Sequence, residues 1–266
     1  MALRAFLLAA AAAVVVVAGA AAASLLHSKT ATFGSVRATI TWRNARFFEA
    51  KDVRLRIARA GVAALDTRSF GLDRPQTIKA RDLDADGEPE VLVDFYTGGA
   101  HCCFFSQIYR FEGSTYVSAR HLWGDLGYVL RDLDGDGTLE LQSADDRFAY
   151  VFTAYAASAF PIQIWEYEAG RLVDVTRRYP ALIRKDAARL WRDSLLRRKD
   201  RSFDDVRGIL AAWAADEYLL GRSAQAWTTL RRLNRHGVLK GDAPWPHGSA
   251  YLRKLQKFLQ TRGYVG

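Results

Sequence analysis

The chain has 266 residues, a formal charge of +9 and 50% hydrophobic residues, of which only two are cysteines. That composition is globular, and the length is enough for one large domain or two small ones. It excludes a disordered chain, and no segment after residue 26 is apolar enough over a sufficient length to cross a bilayer.

The N-terminus has the pattern of a secretory signal peptide. Arg4 precedes an uncharged stretch over residues 5–26, and small residues at 20–24 offer an A-x-A cleavage site ending at Ala23. We therefore predict a signal peptide at 1–23 and export to the periplasm or the cell exterior. The uncharged stretch is also about as long as a bilayer span, so an uncleaved N-terminal membrane anchor is the alternative.

The first segments after the leader are typical of β-structure. Residues 35–42 alternate and are rich in β-branched side chains, as in a half-buried strand. A second strand is predicted at 53–58, followed by a turn at Gly61 and an apolar return at 62–65. We expect a β-domain over residues 31–180 that begins with this hairpin.

Two acidic stretches share one register: residues 82–90 are DLDADGEPE and residues 132–140 are DLDGDGTLE. So many carboxylates would repel one another in a compact chain unless a hard divalent cation lay among them. The alternative is a pair of solvated turns without an ion. We predict two calcium sites, with carboxylates at positions 1, 3, 5 and 9, glycine at 6 for the turn, and the main-chain carbonyl of position 7. The predicted ligands are Asp82, Asp84, Asp86, Glu88 and Glu90 in the first site, and Asp132, Asp134, Asp136, Thr138 and Glu140 in the second.

The spacing excludes an EF-hand, because position 12 is Val93 in one copy and Ser143 in the other, and no amphipathic helix follows. Both loops lead instead into short β-rich segments. A DxDxDGxxE loop that opens a strand resembles the calcium loops of FG-GAP and VCBS repeats, found in integrin-α-type β-propellers. The resemblance covers about residues 52–180 and implies calcium-binding, propeller-like blades.

The β-rich region also repeats outside the loops. The hairpin at 107–120 is matched by a second hairpin at 163–176, and the acidic loops recur 50 residues apart. There is room for about two and a half such units, whereas a closed propeller needs at least four blades. We therefore predict an α+β protein: an antiparallel, partly propeller-like β-repeat domain followed by helices.

The only two cysteines, Cys102 and Cys103, are adjacent and follow Gly98, Gly99 and His101. In an oxidising compartment an even count usually means a disulfide, and adjacent cysteines would form a strained eight-membered ring. We predict a vicinal disulfide. The alternatives are a copper or zinc site that uses His101 with both thiols, and a reduced pair that only packs.

After Pro180 the apolar spacing changes to 3.6 residues, which predicts a helical domain over residues 181–266. Residues 184–266 carry 18 Lys and Arg against 8 Asp and Glu, so this domain holds the basic excess. Such a surface could bind an anionic cell-envelope polymer or a lipid surface, or another protein. Nucleic acid is a poor fit for an exported chain, and a simply solvated basic face is the alternative.

The five histidines are scattered, and neither a G-x-S-x-G elbow nor an H-E-x-x-H helix occurs. We therefore favour a non-catalytic, exported, calcium-stabilised module for envelope binding or adhesion. The rival hypothesis is a calcium-stabilised cell-envelope hydrolase. A pocket that joins a histidine to an acid away from the two acidic loops would favour that rival.

Overall fold

The structure is a computed structural model that describes residues 25–266, apart from Ser69, residues 200–204, Asp242, Gly266 and the side chain of Cys102. The predicted signal peptide, residues 1–23, lies outside the described residues. Within the described part, no helix combines the length and the apolar character needed to span a bilayer.

The described residues form twelve β-strands in three four-stranded sheets, each an antiparallel meander in chain order. Sheet 1 contains β1 (Leu26–Phe33), β2 (Val36–Asn44), β3 (Ala50–Arg59) and β4 (Val62–Thr67). Sheet 2 contains β5 (Arg74–Arg81), β6 (Glu90–Gly99), β7 (Cys102–Phe111) and β8 (Tyr116–Gly124). Sheet 3 contains β9 (Val129–Arg131), β10 (Glu140–Ala144), β11 (Ile162–Glu168) and β12 (Arg171–Asp174). The fold is α+β, with antiparallel sheets followed by helices, and the described residues form no closed propeller or barrel.

Sheet 1 has one more strand than its sequence indicated. β1 begins at Leu26, five residues before the predicted domain start, and it pairs with β2 from Leu26↔Arg43 to Phe33↔Val36. Most of its residues are exposed, so it lacks the apolar alternation that marks a half-buried strand. Its link to β2 is a tight turn through Gly34, whose positive φ of 53° suits glycine. Sheets 2 and 3 have the acidic loops at the equivalent place.

The three sheets stack face to face, and the middle one is buried on both faces. On β6, Val91, Val93 and Phe95 belong to the core shared with sheet 1. Leu92, between them, belongs to the core shared with sheet 3. Burial on both faces explains why residues 91–95 are all apolar except Asp94, instead of alternating between apolar and polar side chains.

The outer face of sheet 3 is covered by the helical region. Ile162 and Ile164 of β11 pack with Val175 and with Ile183 of the first helix. The helices are α1 (Pro180–Lys199), α2 (Arg207–Leu219), α3 (Ser223–Arg235) and α4 (Gly248–Thr261). The predicted change from strands to helices at Pro180 therefore matches the start of α1.

The loop between β10 and β11 joins the helical core. Phe148 and Phe152 are fully buried and pack among residues of α2 and α4. Gly208 of α2 lies so close to this loop that a Cβ there would be 2.4 Å from the carbonyl oxygen of Ala157. Only glycine permits this approach, so the β-sheets and the helices share a continuous packed boundary.

The loops lie at two opposite ends of the stack. The acidic end carries both acidic loops and the β3–β4 turn, since Arg59 beside that turn pairs with Glu88. The opposite end carries the β2–β3 and β6–β7 loops, where the Phe48 ring contacts the Tyr96 ring edge-on.

Candidate metal centre

The first acidic loop joins β5 to β6 and gathers its aspartates at one point. Asp82, Asp84 and Asp86 each place a carboxylate oxygen within 4.8 Å of the others. The turn is formed by left-handed residues, Ala85 with φ 57° and Gly87 with φ 88°. Gly87 N donates to Asp82 Oδ2 at 2.9 Å, so the loop's own backbone orients its first carboxylate.

Glu90, the first residue of β6, is fully buried beneath this loop. Its Oε2 accepts from Leu83 N at 3.1 Å, whereas its Oε1 is buried without a hydrogen-bond partner. Burial raises the pKa of Glu90 to about 8, the bond from Leu83 N opposes the rise, and Asp84 and Asp86 add to it. One oxygen each of Asp82 and Asp84 is buried and unpartnered as well. A buried carboxylate oxygen is costly unless something satisfies it, and a cation among these oxygens would do so.

Glu88 has a different role from its acidic neighbours. Its carboxylate forms a two-pronged ion pair with Arg59, including Arg59 Nη2 to Glu88 Oε2 at 2.8 Å. This leaves only its main-chain carbonyl for the loop, which is the contribution predicted for position 7. Sequence patterns did not indicate Arg59, because this residue comes from sheet 1, 29 residues earlier.

The second acidic loop, between β9 and β10, repeats the arrangement. Asp132, Asp134 and Asp136 again lie within 4.8 Å of one another, and all three are exposed. Glu140 is fully buried, accepts from Leu133 N at 2.6 Å and leaves its Oε1 without a partner. Burial raises the pKa of Glu140 as it does for Glu90. The buried glutamate therefore recurs at position 9, but the aspartates of this loop are more exposed than those of the first, and Tyr179 lies close enough to the Glu140 carboxylate to oppose the rise in its pKa.

Tyr179 adds a contact that sequence patterns did not indicate. Its hydroxyl donates to Asp134 Oδ2 at 3.2 Å from the segment just before α1. The second loop is thus held by the helical region, as the first loop is held by sheet 1 through Arg59.

The two loops also contact each other. Leu139 N, at position 8 of the second loop, donates to Leu83 O, at position 2 of the first loop, in a main-chain hydrogen bond of 3.1 Å. The acidic clusters therefore lie side by side at the acidic end. Every side-chain ligand offered is a carboxylate oxygen, which suits a hard divalent cation such as Ca²⁺ and not copper or zinc in a sulfur-rich site.

The Cys102 side chain lies outside the described residues, so the vicinal disulfide and the soft-metal alternative both stay predictions. The ring of His101 stacks on Tyr155 with centroids 3.9 Å apart, and Cys103 N donates to Thr97 Oγ1 at 3.2 Å. The segment is held at the opposite end of the stack from the acidic loops.

One cavity of about 370 Å³ does join a histidine to acids away from the acidic loops. His121 of β8 lies in it between the rings of Trp123 and Trp165, with centroids 4.2 and 4.5 Å away. Burial lowers the pKa of His121 to about 4, so the imidazole is neutral at pH 7.

Both acids that line this cavity are already engaged. Arg147 donates to both carboxylate oxygens of Asp145, from Nε to Oδ1 at 2.7 Å and from Nη2 to Oδ2 at 2.6 Å. The hydroxyl of Tyr264 also donates to Asp145 Oδ2, at 2.7 Å. Asp146 accepts from Asp125 N at 3.3 Å. The cavity thus contains the residue types of an acid–base site, but both of its carboxylates already accept hydrogen bonds from other groups.

The helical region is similar to a known protein family. Residues 183–263 match the sll0997 C-terminal domain family. The match starts within α1 and ends beyond α4, so it covers nearly all of the helical region but not the sheets.

Two curated relatives extend the similarity into the sheets. "Uncharacterized protein y4bJ" of Sinorhizobium fredii is 31% identical over 216 residues, which is 75% of this chain and 34% of that protein. "Probable thylakoid lumen protein sll0997" of Synechocystis sp. is 32% identical over 215 residues, 74% of this chain and 60% of that protein. The chain thus spans between about a third and three fifths of these relatives. No solved structure matches it.

Proposed function

We propose that the protein is an exported, calcium-binding β-repeat module that acts by binding, in envelope attachment or adhesion, and not by catalysis. The observation that carries the proposal is the pair of buried glutamates, Glu90 and Glu140, each with an unpartnered oxygen beside three clustered aspartates. A bound Ca²⁺ at each loop would satisfy those oxygens and cancel the repulsion among the carboxylates.

The sheet topology supports the proposed relation to FG-GAP and VCBS repeats. Sheets 2 and 3 are both four-stranded meanders in which an acidic loop joins the first strand to the second. Sheet 1 has the same strand order without the loop. Three blades that stack without closing would make this an open, propeller-like array.

Export is supported by two observations. The N-terminal stretch has the features of a signal peptide, and one relative is named as a probable thylakoid lumen protein. Millimolar calcium is typical of the settings in which weak extracellular calcium modules work.

The binding surface in this proposal is the basic helical domain, with an anionic envelope polymer or lipid as its partner. Arg231, Arg232 and Arg235 are exposed along α3, and Arg197, Arg198 and Lys199 form the last turn of α1. A concentration of positive charge attracts anionic polymers through long-range electrostatics that salt weakens.

The proposal predicts a calcium-specific gain in stability. The chain lacking its first 23 residues, stripped of metal, should melt at a higher temperature when calcium is added, because ions that bind only the folded loops stabilise them. At calcium tenfold above Kd, each site adds about 1.4 kcal/mol to the free energy of unfolding. Magnesium at equal concentration should raise the midpoint far less, since it dehydrates reluctantly and demands a tighter octahedral shell. Equal effects of the two ions, or no effect of either, would refute the proposed sites.

The second candidate function is a calcium-stabilised envelope hydrolase, and the His121 cavity is the observation that favours it. If His121 were the general base, His121→Ala would abolish cleavage of envelope polysaccharide or peptide while the calcium-dependent melting shift persisted. Under the binding proposal, the purified protein releases no soluble products from cell-envelope material. Product release that His121→Ala removes would establish the hydrolase instead.

A further inference from the structure

The β2–β3 turn presents two phenylalanines to solvent in a fixed position. Glu49 N donates to Arg46 O at 3.0 Å and Ala45 N donates to Glu49 O at 3.0 Å, so Phe47 and Phe48 occupy the corners of a closed turn. Phe47 is 96% exposed and Phe48 is 58% exposed. Phe47 also has a φ of 53°, a left-handed conformation that favours glycine or asparagine over a bulky residue. Holding the two aromatic rings in solvent therefore costs conformational free energy at Phe47 and solvation free energy at both rings.

Other apolar side chains lie at the same end of sheet 1. Ala50 N donates to Leu72 O at 2.9 Å, which brings the β4–β5 loop beside the turn, and Leu72 is 55% exposed. Leu26 pairs with Arg43 at the start of β1, so Leu25 and Leu26, 80% and 59% exposed, are also at this end. We call Leu25, Leu26, Phe47, Phe48 and Leu72 the apolar end.

Basic side chains flank the apolar end. Segments 43–52 and 68–74 contain five Lys and Arg against three Asp and Glu. Arg46, Lys51 and Arg68 are exposed there, while Arg43 lies 3.9 Å from Asp52. Aromatic residues at a tip with cations around them match the chemistry of an anionic membrane surface, where rings enter the acyl boundary and cations meet the headgroups.

The chain's own apolar leader points to the same partner. The uncharged stretch over residues 5–26 leads into β1 at Leu26, and therefore enters the fold at the apolar end. During export, and permanently if the leader is retained, this end of the molecule is the one next to the bilayer.

We propose that the apolar end is a membrane-docking surface that inserts Phe47 and Phe48 into the interface of an anionic lipid bilayer. It lies at the opposite end of the sheets from the acidic loops and uses none of their residues. Membrane docking can therefore fail or succeed independently of calcium binding. It is also distinct from the basic α3 surface, which offers charge without exposed aromatic rings.

The test is co-sedimentation with vesicles, using the chain that starts at Ser24. Vesicles of equal phosphatidylglycerol and phosphatidylcholine should retain the protein, and vesicles of phosphatidylcholine alone should retain much less. Phe47→Ser with Phe48→Ser should weaken binding to the anionic vesicles by at least about tenfold, because two buried rings are lost. The matched control is Val62→Ser, which removes an exposed apolar residue, 70% exposed, from the other end of the same sheet and should change binding less than about twofold.

A depth measurement distinguishes insertion from surface attraction. Phe47→Trp should add fluorescence that brominated acyl chains quench, beyond the quenching of the unchanged protein. Unaltered binding of the double serine variant would show that charge alone, as on α3, holds the protein, and would overturn the proposal. So would the absence of any binding to anionic vesicles, which would leave the apolar end as a contact for another protein. Melting temperatures with calcium, equal among these variants, confirm that the fold and the acidic loops are intact.

Discussion

Replacing Asp84 and Asp134 together by alanine is expected to abolish the calcium-dependent rise in melting temperature. Each aspartate sits at the centre of its triad, so its loss leaves too few oxygens to hold an ion. At calcium tenfold above Kd the two sites supply about 3 kcal/mol, which for a chain of this size corresponds to roughly 6–12 °C. Without calcium, the variant should be about as stable as the unchanged protein, because the relief of like-charge repulsion in each loop offsets the loss of the hydrogen bond from Tyr179 to Asp134.

The matched control is Glu88→Gln in the same loop. The Glu88 carboxylate is committed to Arg59, so its loss should lower stability in the absence of calcium while the calcium response survives. Calorimetry with and without chelator measures both quantities. An intact calcium response in the double alanine variant would exclude these loops as the sites.

Asp216→Asn is expected to stabilise the protein at neutral pH. Asp216 of α2 is fully buried, its carboxyl approaches the Asp186 carboxyl, and no other described residue donates a hydrogen bond to it. Burial and the nearby Asp186 of α1 raise its pKa to about 10, Glu217 adds to the rise, and Arg189 opposes it. An asparagine is neutral at every pH, and its amide could donate to Asp186, whose Oδ2 is also buried without a partner.

The sign of the pH dependence follows from the raised pKa. Between the unfolded value near 4 and the folded value near 10, the folded protein keeps a proton on Asp216 that the unfolded chain loses. Stability therefore falls as pH rises through this window, by up to roughly 1 kcal/mol per pH unit.

Urea unfolding at pH 5 and pH 8 measures this effect. Asp216→Asn should have a visibly flatter pH dependence than the unchanged protein, and its advantage should be larger at pH 8. The control Asp52→Asn, on an exposed aspartate of β3, should leave the slope unchanged. A variant that is less stable at pH 8 would show that Asp216 is ionised and held by a cation.

Local patterns in the sequence predicted much of this architecture. β-rich segments and the repeated hairpin predicted six strands of sheets 2 and 3 but not β5 or β9, and the DxDxDG register predicted that each acidic loop leads into a strand. The change of apolar period after Pro180 predicted the start of α1. Each of these depends on neighbours within a few residues.

The features that sequence patterns missed depend on distant contacts. β1 pairs along its length with β2 while most of its side chains stay exposed, so no apolar period marks it. The Arg59–Glu88 ion pair and the Tyr179–Asp134 hydrogen bond join different layers of the molecule. In the same way, Asp186 and Asp216 approach only because α1 packs on α2, and helical periodicity cannot show that two acids will share a buried space.

The layered packing has a consequence for how the molecule opens. Sheet 2 is covered by sheet 1 on one face and by sheet 3 on the other, and sheet 3 is covered in turn by the helices. Because each layer contacts only its neighbours, layers can separate one after another from either end of the stack. The backbone amides of β6 therefore become accessible to solvent last, after a neighbouring layer has already separated.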